Sequence, residues 1–514
     1  MAEARQHDRP VDIHGQGYSR AALLIIILVA TFAGTLMQTS LGTAIPTLMH
    51  DFGINLATAQ QATTWFLLAN GIMIPVSAYL TTKFPTKWLL LSAYGIMLSG
   101  MLVTALTPAQ HSMWFMFLLG RVLTALAVGI TMPLMQVILV NIFPAEERGA
   151  AMGLSGLVVG LAPAIGPTLS GWILDQDHYV WGLVISSSWR NIFYLPLIVL
   201  AVAFLLGFVF LRDVVPNRPV KLDVLSLTLS IFGFGLFLLG FTNVATDGWG
   251  DVRTVLTPIS IGAIIILLFI WRQLRMKDPF MDVRVFLNKQ FTVTTIAVMM
   301  AMMAMMGVEM MLPTYLQNVH GISAFHSGLM LLPGALVMGA MSPVAGAVYD
   351  KVGAKRMTLL GFSILALGTV PFLFLTSTTP DHYITALYTV RMFGIAMVMM
   401  PLTASAMSAL PPEEAGHATA SNNTARQIAS AVVVALLTSV TQNIINHNEP
   451  AASLKTANPL RYADHLLNAS MDGFQASFLI GLIFALVGIG VAFFLRDGKV
   501  IAQATKQVDG EEQV

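Results

Sequence analysis

The sequence of 514 residues contains no cysteine, and only 10% of its residues are charged. Without cysteine, disulfide bonds and thiolate metal sites are excluded. A soluble domain has roughly a quarter of its residues charged, so this shortage indicates a chain that is surrounded largely by lipid. The net charge of +1 provides no excess that would attract nucleic acid, and we expect no nucleic-acid partner.

Motifs of conventional enzymes are also absent. The sequence has no G-x-x-x-x-G-K-[ST] phosphate loop, no H-E-x-x-H, no G-x-S-x-G and no Cys/His cluster. We therefore expect no enzyme activity, no catalytic residue, no metal site and no cofactor. Energy for any transport would come from an ion gradient, with the proton as the coupled ion.

Long apolar runs dominate what is present. Hydrophobic residues make up 56% of the chain, and the mean hydropathy is +0.75. About twenty apolar residues span a bilayer as a helix, and these runs are too long for barrel strands. The first twenty residues are polar and lack the apolar core of a cleavable signal, so we interpret the first run as a retained span. Fourteen spans are predicted: 21–48, 60–82, 87–107, 112–140, 149–174, 189–211, 222–244, 254–274, 291–316, 327–348, 356–376, 382–410, 416–444 and 473–495.

The distribution of Lys and Arg predicts that both termini are cytoplasmic. With that orientation twenty Lys and Arg lie in inward segments, and the outward loops hold only Arg190, Arg253, Lys455 and Arg461. Inward loops carry the excess of positive charge in membrane proteins. The asymmetry also supports an even number of spans.

Internal repetition predicts the architecture. The loop AYLTTKFPTKW (78–88) resembles GAVYDKVGAKR (346–356), and the intramembrane arginines Arg121 and Arg391 follow at nearly the same offset. Parallel repeats of this kind commonly build transporters that rock around a central site. The predicted fold is an all-α polytopic membrane protein with two six-helix halves and two central helices. The predicted divisions are a tail (1–20), a first half (21–212), a two-helix insert (213–290), a second half (291–496) and a second tail (497–514).

The stretch VMMAMMAMMGVEMM (298–311) contains eight methionines and Glu309. Glu309 is the one acid that we place well inside a predicted span, where an ionised carboxylate costs several kcal/mol and is usually functional or paired. We interpret it as a carboxyl that binds a proton and releases it when its surroundings change. One alternative is a structural glutamate that is neutral and hydrogen-bonded. Another is a glutamate that lies closer to the outer surface, since Pro313 follows within one turn.

The methionines around Glu309 allow more than one interpretation. Helical spacing places Met302, Met305 and Met306 on its face. Flexible thioethers suit a cavity that adapts to different ligands, whereas an apolar packing surface needs only their hydrophobicity. Copper(I) is a third possibility, since thioethers are soft ligands, but no Cys or His accompanies them in the stretch.

Other polar residues within or near spans are candidates for a substrate cavity. Arg426 lies in a polar run with Asn423 and Gln427, which forms either an interhelical hydrogen-bond seam or a cavity lining. Arg391 we interpret as an interhelical hydrogen-bond donor. Sparse polar anchors in an apolar pocket suit amphipathic ligands, and Trp65 would be an aromatic wall or an interfacial anchor. The candidate cavity comprises Gln38, Trp65, Asn70, Met302, Met305, Met306, Gln317, Asn423, Arg426 and Gln427.

Two motifs carry a resemblance to a known family. The segment GAVYDKVGAKR resembles the cytoplasmic loop of the major facilitator superfamily, and GLSGLVVGLAPAIGPTLSG (153–171) resembles the fifth-helix motif of its antiporters. The matching positions of the first motif are Gly346, Asp350, Lys351, Gly353, Lys355 and Arg356, which the resemblance implies form a cytoplasmic gate. The matching positions of the second are Gly153, Gly166, Pro167 and Gly171, which would seal the two halves against each other.

Further segments narrow the resemblance. Fourteen spans, with LPTYLQNVHG (312–321) and GHATASNNTARQI (416–428), resemble the fourteen-helix drug/proton antiporters of the EmrB/QacA type. The segment LMQTSLGTAIP (36–46) is similar to the LmrB-like lincomycin-resistance branch. The resemblance implies a role for Arg121 in proton coupling. The chain departs from the family at Met37, where many relatives carry an aspartate, and at Thr82 and Pro85 in the first-half loop.

These observations predict a proton-coupled multidrug exporter of a bacterial cell membrane. Its partners would be protons, the lipid bilayer and amphipathic hydrophobic small molecules, including lincosamides, and it would act as a monomer. A lipid or fatty-acid translocator of the same fold is an alternative. A membrane ligand sensor without transport is another.

Overall fold

The structure, a computed structural model, describes residues 10–143, 158, 162, 165–180, 183–216, 223–276, 279, 281–410, 415–450 and 458–496. Almost all of these residues are helical. The helices are α1 (Arg20–Thr39), α2 (Ile45–Phe52), α3 (Leu56–Lys83), α4 (Thr86–Leu106), α5 (Trp114–Ile142), α6 (165–175 in the described part), α7 (Asn191–Phe210), α8 (Val224–Asp247), α9 (Thr257–Arg275), α10 (Lys289–Glu309), α11 (Leu312–Asn318), α12 (Ala324–Val352), α13 (Ala354–Thr369), α14 (Asp381–Ser408), α15 (Ala415–His447) and α16 (Pro459–Ala492). A two-stranded antiparallel hairpin pairs β1 (His178–Val180) with β2 (Leu183–Ile185), His178 opposite Ile185.

Within the described ranges, twelve helical segments are long and apolar enough to cross a membrane. A further helix, the 28-residue α3, coincides with the predicted second span. The predicted fifth span, 149–174, lies largely outside the described residues. The multi-pass helical architecture is therefore confirmed, while the count of fourteen spans and the orientation of the termini stay predictions.

Polar side chains begin the helices where the hydropathy pattern places them. The Ser19 hydroxyl accepts a hydrogen bond from the backbone of Ala22 at the start of α1. The side chains of Asn55 and Ser323 cap α3 and α12 in the same way. Such caps satisfy backbone N–H groups that have no partner in the first turn of a helix.

Two predicted spans each contain a helix break in the structure, although each still forms one segment long enough to cross a membrane. The run 21–48 divides into α1 and α2, and the run 291–316 divides into α10 and α11. In each case a proline, Pro46 or Pro313, occupies the first turn of the second helix. Proline cannot donate the backbone hydrogen bond that would continue the first helix.

Close glycine contacts repeat between the two halves. A Cβ at Gly120 would lie 2.7 Å from the Gly100 carbonyl oxygen where α5 crosses α4. A Cβ at Gly394 would lie 2.9 Å from the Gly361 carbonyl oxygen where α14 crosses α13. The same pair of helices thus approaches closely in each half, as the internal repetition predicts.

The core divides into two large clusters of buried side chains. One is built from residues between Tyr18 and Val215. The other is built from residues between Ala297 and Leu495, joined by Leu67 and Leu68 of α3 and by Leu238 of α8. Each half therefore has its own core, and α3 contributes to both.

The two-helix insert packs between the halves. Helix α8 contacts α9, and also α3 of the first half and α15 of the second. At one end of the pair, Arg272 donates two hydrogen bonds to the Asp223 carboxylate, at 2.8 and 3.2 Å. Gln273 donates to Ser226 at 2.6 Å and accepts from the backbone of Met281 at 3.2 Å. This network ties the segment that leads into α10 to the insert.

Candidate functional site

Glu309 is the last residue of α10. Its side chain is buried, at 9% exposure, and its Oε2 has no hydrogen-bond partner among the described residues. Asn288 begins α10 by accepting hydrogen bonds from the backbone of Gln290 and Phe291, and the helix ends where α11 starts at its proline. The carboxyl thus lies at a helix break, in the core of the second half.

The methionines that share its helix lie in the same core. Met302, Met305 and Met306 are each 6–8% exposed and belong to the buried cluster of the second half. They provide a low-dielectric surrounding for the carboxyl, in which the ionised form is costly. Within the described ranges, no group of three or more His, Asp or Glu side chains is placed to hold a metal ion.

Arg391 and Tyr388 of α14 are the charged and titratable partners of Glu309. Both are buried, and the charges of Arg391, Tyr388 and Glu309 act on one another. Arg391 Nε donates to Thr369 Oγ1 at 2.8 Å, and its Nη2 donates to the Ala304 carbonyl of α10 at 2.9 Å. The interhelical bonding expected of Arg391 is therefore present, together with an electrostatic link to the acid.

Arg121 occupies the matching position in the first half. Its Nη1 donates to the Met37 carbonyl of α1 at 2.7 Å, and its Nε lies 3.5 Å from the Ala62 carbonyl of α3. The guanidinium also stacks over the Phe66 ring, 4.3 Å from its centroid. Arg121 thus joins α1, α3 and α5, and it is fully buried.

Helix α3 contributes two candidate cavity residues. Trp65 packs against the cores of both halves, which favours the wall over the interfacial anchor. Asn70 is buried, with its side-chain nitrogen unpartnered among the described residues, and its Oδ1 would lie 3.4 Å from a Cβ at Gly129. Gln38 of α1 is half-buried and follows Met37 directly.

The polar run of α15 divides between several neighbours. Asn422 donates to Thr295 of α10 at 3.2 Å. Gln427 lies against α3, where a Cβ at Gly71 would be 3.3 Å from the Gln427 Cβ. Asn423 and Arg426 are half-buried. Asn422 therefore forms a hydrogen bond between α15 and α10, and it is not among the predicted cavity residues. Its place in the polar run of α15 was the sequence feature that could have indicated it.

Gln317 and the antiporter motif lie where the two halves meet. Gln317 of α11 donates to the Thr43 carbonyl at 3.0 Å. Thr168 of α6 donates to the Gly328 carbonyl of α12 at 3.0 Å. Both contacts lie at the end of the bundle that is predicted to face outward, so the halves are joined at that end. Gln317 is placed as a bridge between the halves.

The motif glycines allow helices to approach to backbone contact. A Cβ at Gly166 would lie 2.5 Å from Thr39 Oγ1, and one at Gly171 would lie 2.3 Å from the Ala324 carbonyl oxygen. The Pro167 carbonyl accepts from Thr43 at 3.2 Å. Gly153 of the same motif lies outside the described residues.

The second-half loop turns at Gly353, between α12 and α13. Its φ of 88° and ψ of 164° are accessible essentially to glycine alone. Gly346 lies within α12, and Lys355 and Arg356 begin α13. The side chains of Asp350 and Lys351 lie outside the described part of the structure.

The first-half loop has an acid that the motif does not reveal. The Asp213 carboxylate accepts from the backbone of Lys87 at 2.9 Å, in the first turn of α4. Lys87 Nζ in turn donates to the Phe208 carbonyl at 2.7 Å. The carboxylate comes from the segment after α7, more than a hundred residues away, so motif spacing could not have found it.

Comparisons with known proteins show the family of the chain. A sequence model of the Major Facilitator Superfamily matches residues 27–434. The chain belongs to this superfamily. It is 40% identical over 484 residues to the uncharacterized MFS-type transporter YcnB of Bacillus subtilis, covering 94% of this chain and 97% of YcnB.

A relative with a named role is also similar. The chain is 36% identical over 488 residues to the lincomycin resistance protein LmrB of Bacillus subtilis, covering 94% of this chain and 98% of LmrB. Among solved structures, the fold is similar to that of a bacterial homolog of the human lysosomal transporter Spinster, in an inward-facing and unoccupied conformation. The two chains superpose with a TM-score of 0.63 at 12% identity, and the match covers 92% of this chain and 96% of that one. The protein is thus a multi-pass membrane transporter of the superfamily and not an enzyme.

Proposed function

We propose that the protein is a secondary active exporter, which exchanges protons for amphipathic hydrophobic drugs by alternating access. The observation that carries this proposal is Glu309, a buried carboxyl with an unpartnered oxygen at the broken end of α10. In the described part of the chain, the other membrane-spanning helical segments contain no Asp or Glu whose side chain is buried. An intramembrane acid of this kind marks a proton pathway by default.

The contacts between the halves support alternation between two states. Gln317 with Thr43, and Gly171 with Ala324, join the halves at the outward end. Opening this end would break these contacts and admit a proton from outside to Glu309. Closing it again and deprotonating toward the cytoplasm would reset the carrier, while the drug is carried outward in the opposite step.

The substrate class rests on the chain's relatives and on the candidate cavity. LmrB relatives are named for lincomycin resistance, which supports lincosamides among the substrates. Trp65 between the two cores and the buried amide of Asn70 supply an aromatic surface and a polar anchor. Amphipathic ligands fit such sparse polar groups in an apolar surrounding.

The test is lincomycin-driven proton movement in proteoliposomes that contain the full chain and a trapped pH dye. We expect lincomycin flux and proton flux in opposite directions, both abolished when a proton ionophore collapses the gradient. Empty liposomes are the control. Lincomycin flux without proton movement would refute antiport.

Two further results would favour other functions over drug export. Movement of fluorescent phospholipid without lincomycin flux would identify a lipid translocator. Lincomycin binding without flux under an imposed gradient would identify a sensor.

A further inference from the structure

Two of the three intramembrane arginines, Arg121 and Arg391, lie in equivalent buried sites, which we call nests. Among the described residues, only the nest of Arg391 contains an acid. Arg121 donates to the Met37 carbonyl of α1, and Arg391 donates to the Ala304 carbonyl of α10. Each guanidinium also faces a phenylalanine ring, Phe66 in the first half and Phe372 in the second. The sequences of α1, α3, α4 and α5 contain no Asp or Glu. The second-half nest has Glu309 five residues beyond Ala304.

The second-half nest also contains an unused donor and an unused acceptor. Arg391 is fully buried, and its Nη1 has no hydrogen-bond partner among the described residues. Glu309 is buried too, and its Oε2 is likewise unpartnered within them. A buried polar atom without a hydrogen-bond partner is unfavourable, so Arg391 Nη1 and Glu309 Oε2 both gain from an arrangement that pairs them.

The helix geometry places these two groups within reach of each other. Helices α10 and α14 pack together, and Ala304 is level with Arg391. Five residues of helix rise about 7.5 Å, so Glu309 lies about that far along α10 from the level of Arg391. Tyr388 is three residues from Arg391 along α14, a rise of about 4.5 Å. Within the described residues, Arg391 is the titratable group whose charge acts on Glu309, and the charge of Glu309 acts in turn on Tyr388.

We propose that Arg391 is the positioning counter-ion of Glu309, and that its Nη1 pairs with the carboxylate once Glu309 has released its proton. This inference rests on the proposed function. The O–H bond of the carboxyl breaks, the electron pair stays on the oxygen and the proton leaves to water. The resulting carboxylate and the guanidinium then neutralise each other inside the core.

The pairing gives deprotonation a structural consequence. In the protonated state, the Arg391 side chain links α14 to α10 through the Ala304 carbonyl, as in the structure. In the deprotonated state, a second link forms at the end of α10, next to the break that precedes α11. Because α11 carries Gln317 and its bond to the first half, proton release is linked to the contact that closes the outward end.

The test follows the carboxyl of Glu309 by infrared difference spectroscopy of the purified full chain. The carbonyl band that disappears in Glu309→Gln is assigned to Glu309, and its pH titration is measured. In Arg391→Gln we expect the midpoint pH of that titration to rise by about one unit or more, since an opposite charge within about 4–6 Å favours ionisation by about that amount. In Arg391→Lys, which keeps the charge, we expect a smaller rise.

Two results separate this inference from the proposed function. An unchanged midpoint in a folded Arg391→Gln protein would overturn the counter-ion role and leave proton coupling intact. A wild-type Glu309 band that does not titrate between pH 4 and 10 would overturn both.

A second measurement needs no variant at position 391, should Arg391→Gln fail to fold. With isotopically labelled arginine, guanidinium bands of the wild type should change with the same midpoint as the Glu309 band. In Glu309→Gln that change should be lost. Guanidinium bands that stay constant across the titration would contradict the pairing.

Discussion

The backbone of Gly171 lies against the backbone of Ala324, so that a Cβ at position 171 would come within 2.3 Å of the Ala324 carbonyl oxygen. This contact joins α6 of the first half to the start of α12 in the second. It lies at the same end of the bundle as the hydrogen bond from Gln317 to Thr43. We therefore expect closure of this end, which is predicted to face outward, to depend on the absence of a side chain at Gly171.

Gly171→Ala should disfavour the outward-closed state. The added methyl meets backbone atoms, which cannot turn aside, and overpacking of this kind costs about 1–3 kcal/mol. Such a cost shifts the ratio of the two states by roughly 5- to 150-fold. Because the chain has no cysteine, a single Gln317→Cys reporter can be labelled with a membrane-impermeant maleimide, and labelling should be faster in the alanine variant.

The matched control is Gly490→Ala in α16, where a Cβ has no neighbour within 4 Å. Labelling of the reporter should be unchanged by it. Equal labelling rates in Gly171→Ala and Gly490→Ala would contradict the role of the glycine contact in closure.

Gly353→Ala should destabilise the protein by about 1–3 kcal/mol, because alanine rarely adopts a φ of 88° with a ψ of 164°. Thermal unfolding in detergent measures the change. Gly346→Ala is the comparison within the same motif, since Gly346 is helical and a Cβ there meets nothing within 4 Å. A midpoint temperature lowered equally in both variants would argue against a conformational requirement at Gly353.

Asp223→Asn should weaken the insert, with a loss of about 2 kcal/mol, since hydrogen bonds to charged groups are worth about 1.5–3 kcal/mol. Burial of the Asp223 carboxyl raises its pKa, but hydrogen bonds from Arg272 and Ser226 outweigh burial and bring the pKa below its ordinary value. Because the folded-state pKa is the lower one, the stabilisation is complete above the ordinary aspartate pKa of about 3.9 and is lost as the pH falls through the folded value.

The stability difference between wild type and Asp223→Asn should therefore be constant from about pH 5 to pH 8 and should shrink below about pH 4. Unfolding in detergent across this range is the measurement. A difference that persists unchanged at pH 3 would show that the ion pair is not its source.

Hydropathy predicted the helices well because burial in lipid requires long apolar runs. It could not place the ends of helices that extend beyond the apolar region. Helix α16 begins at Pro459, whereas the predicted span begins at 473, since the intervening residues are polar. It also joined α10 to α11, because Met310 and Met311 are as apolar as their neighbours and only Pro313 signals the break.

Side-chain partners were harder to predict than the helices. Glu309 stood out as an acid in an apolar stretch, but its link to Arg391 connects residues more than eighty positions apart. The ion pair of Asp223 with Arg272 joins residues 49 positions apart. The capping of α4 by Asp213 joins residues 126 positions apart. A single sequence records which residues are unusual in their surroundings, and the packing of helices decides which of them meet.

The central claim is that Glu309 carries the coupled proton. Its most direct test compares two measurements in proteoliposomes: lincomycin accumulation driven by a pH gradient, and lincomycin exchange at equal pH. Both are made with wild type, Glu309→Gln and the control Asp464→Asn. The carboxyl of Asp464 lies exposed near the start of α16. We predict that Glu309→Gln loses gradient-driven accumulation and keeps exchange, while Asp464→Asn retains both. Gradient-driven accumulation by Glu309→Gln at the wild-type level would contradict the account.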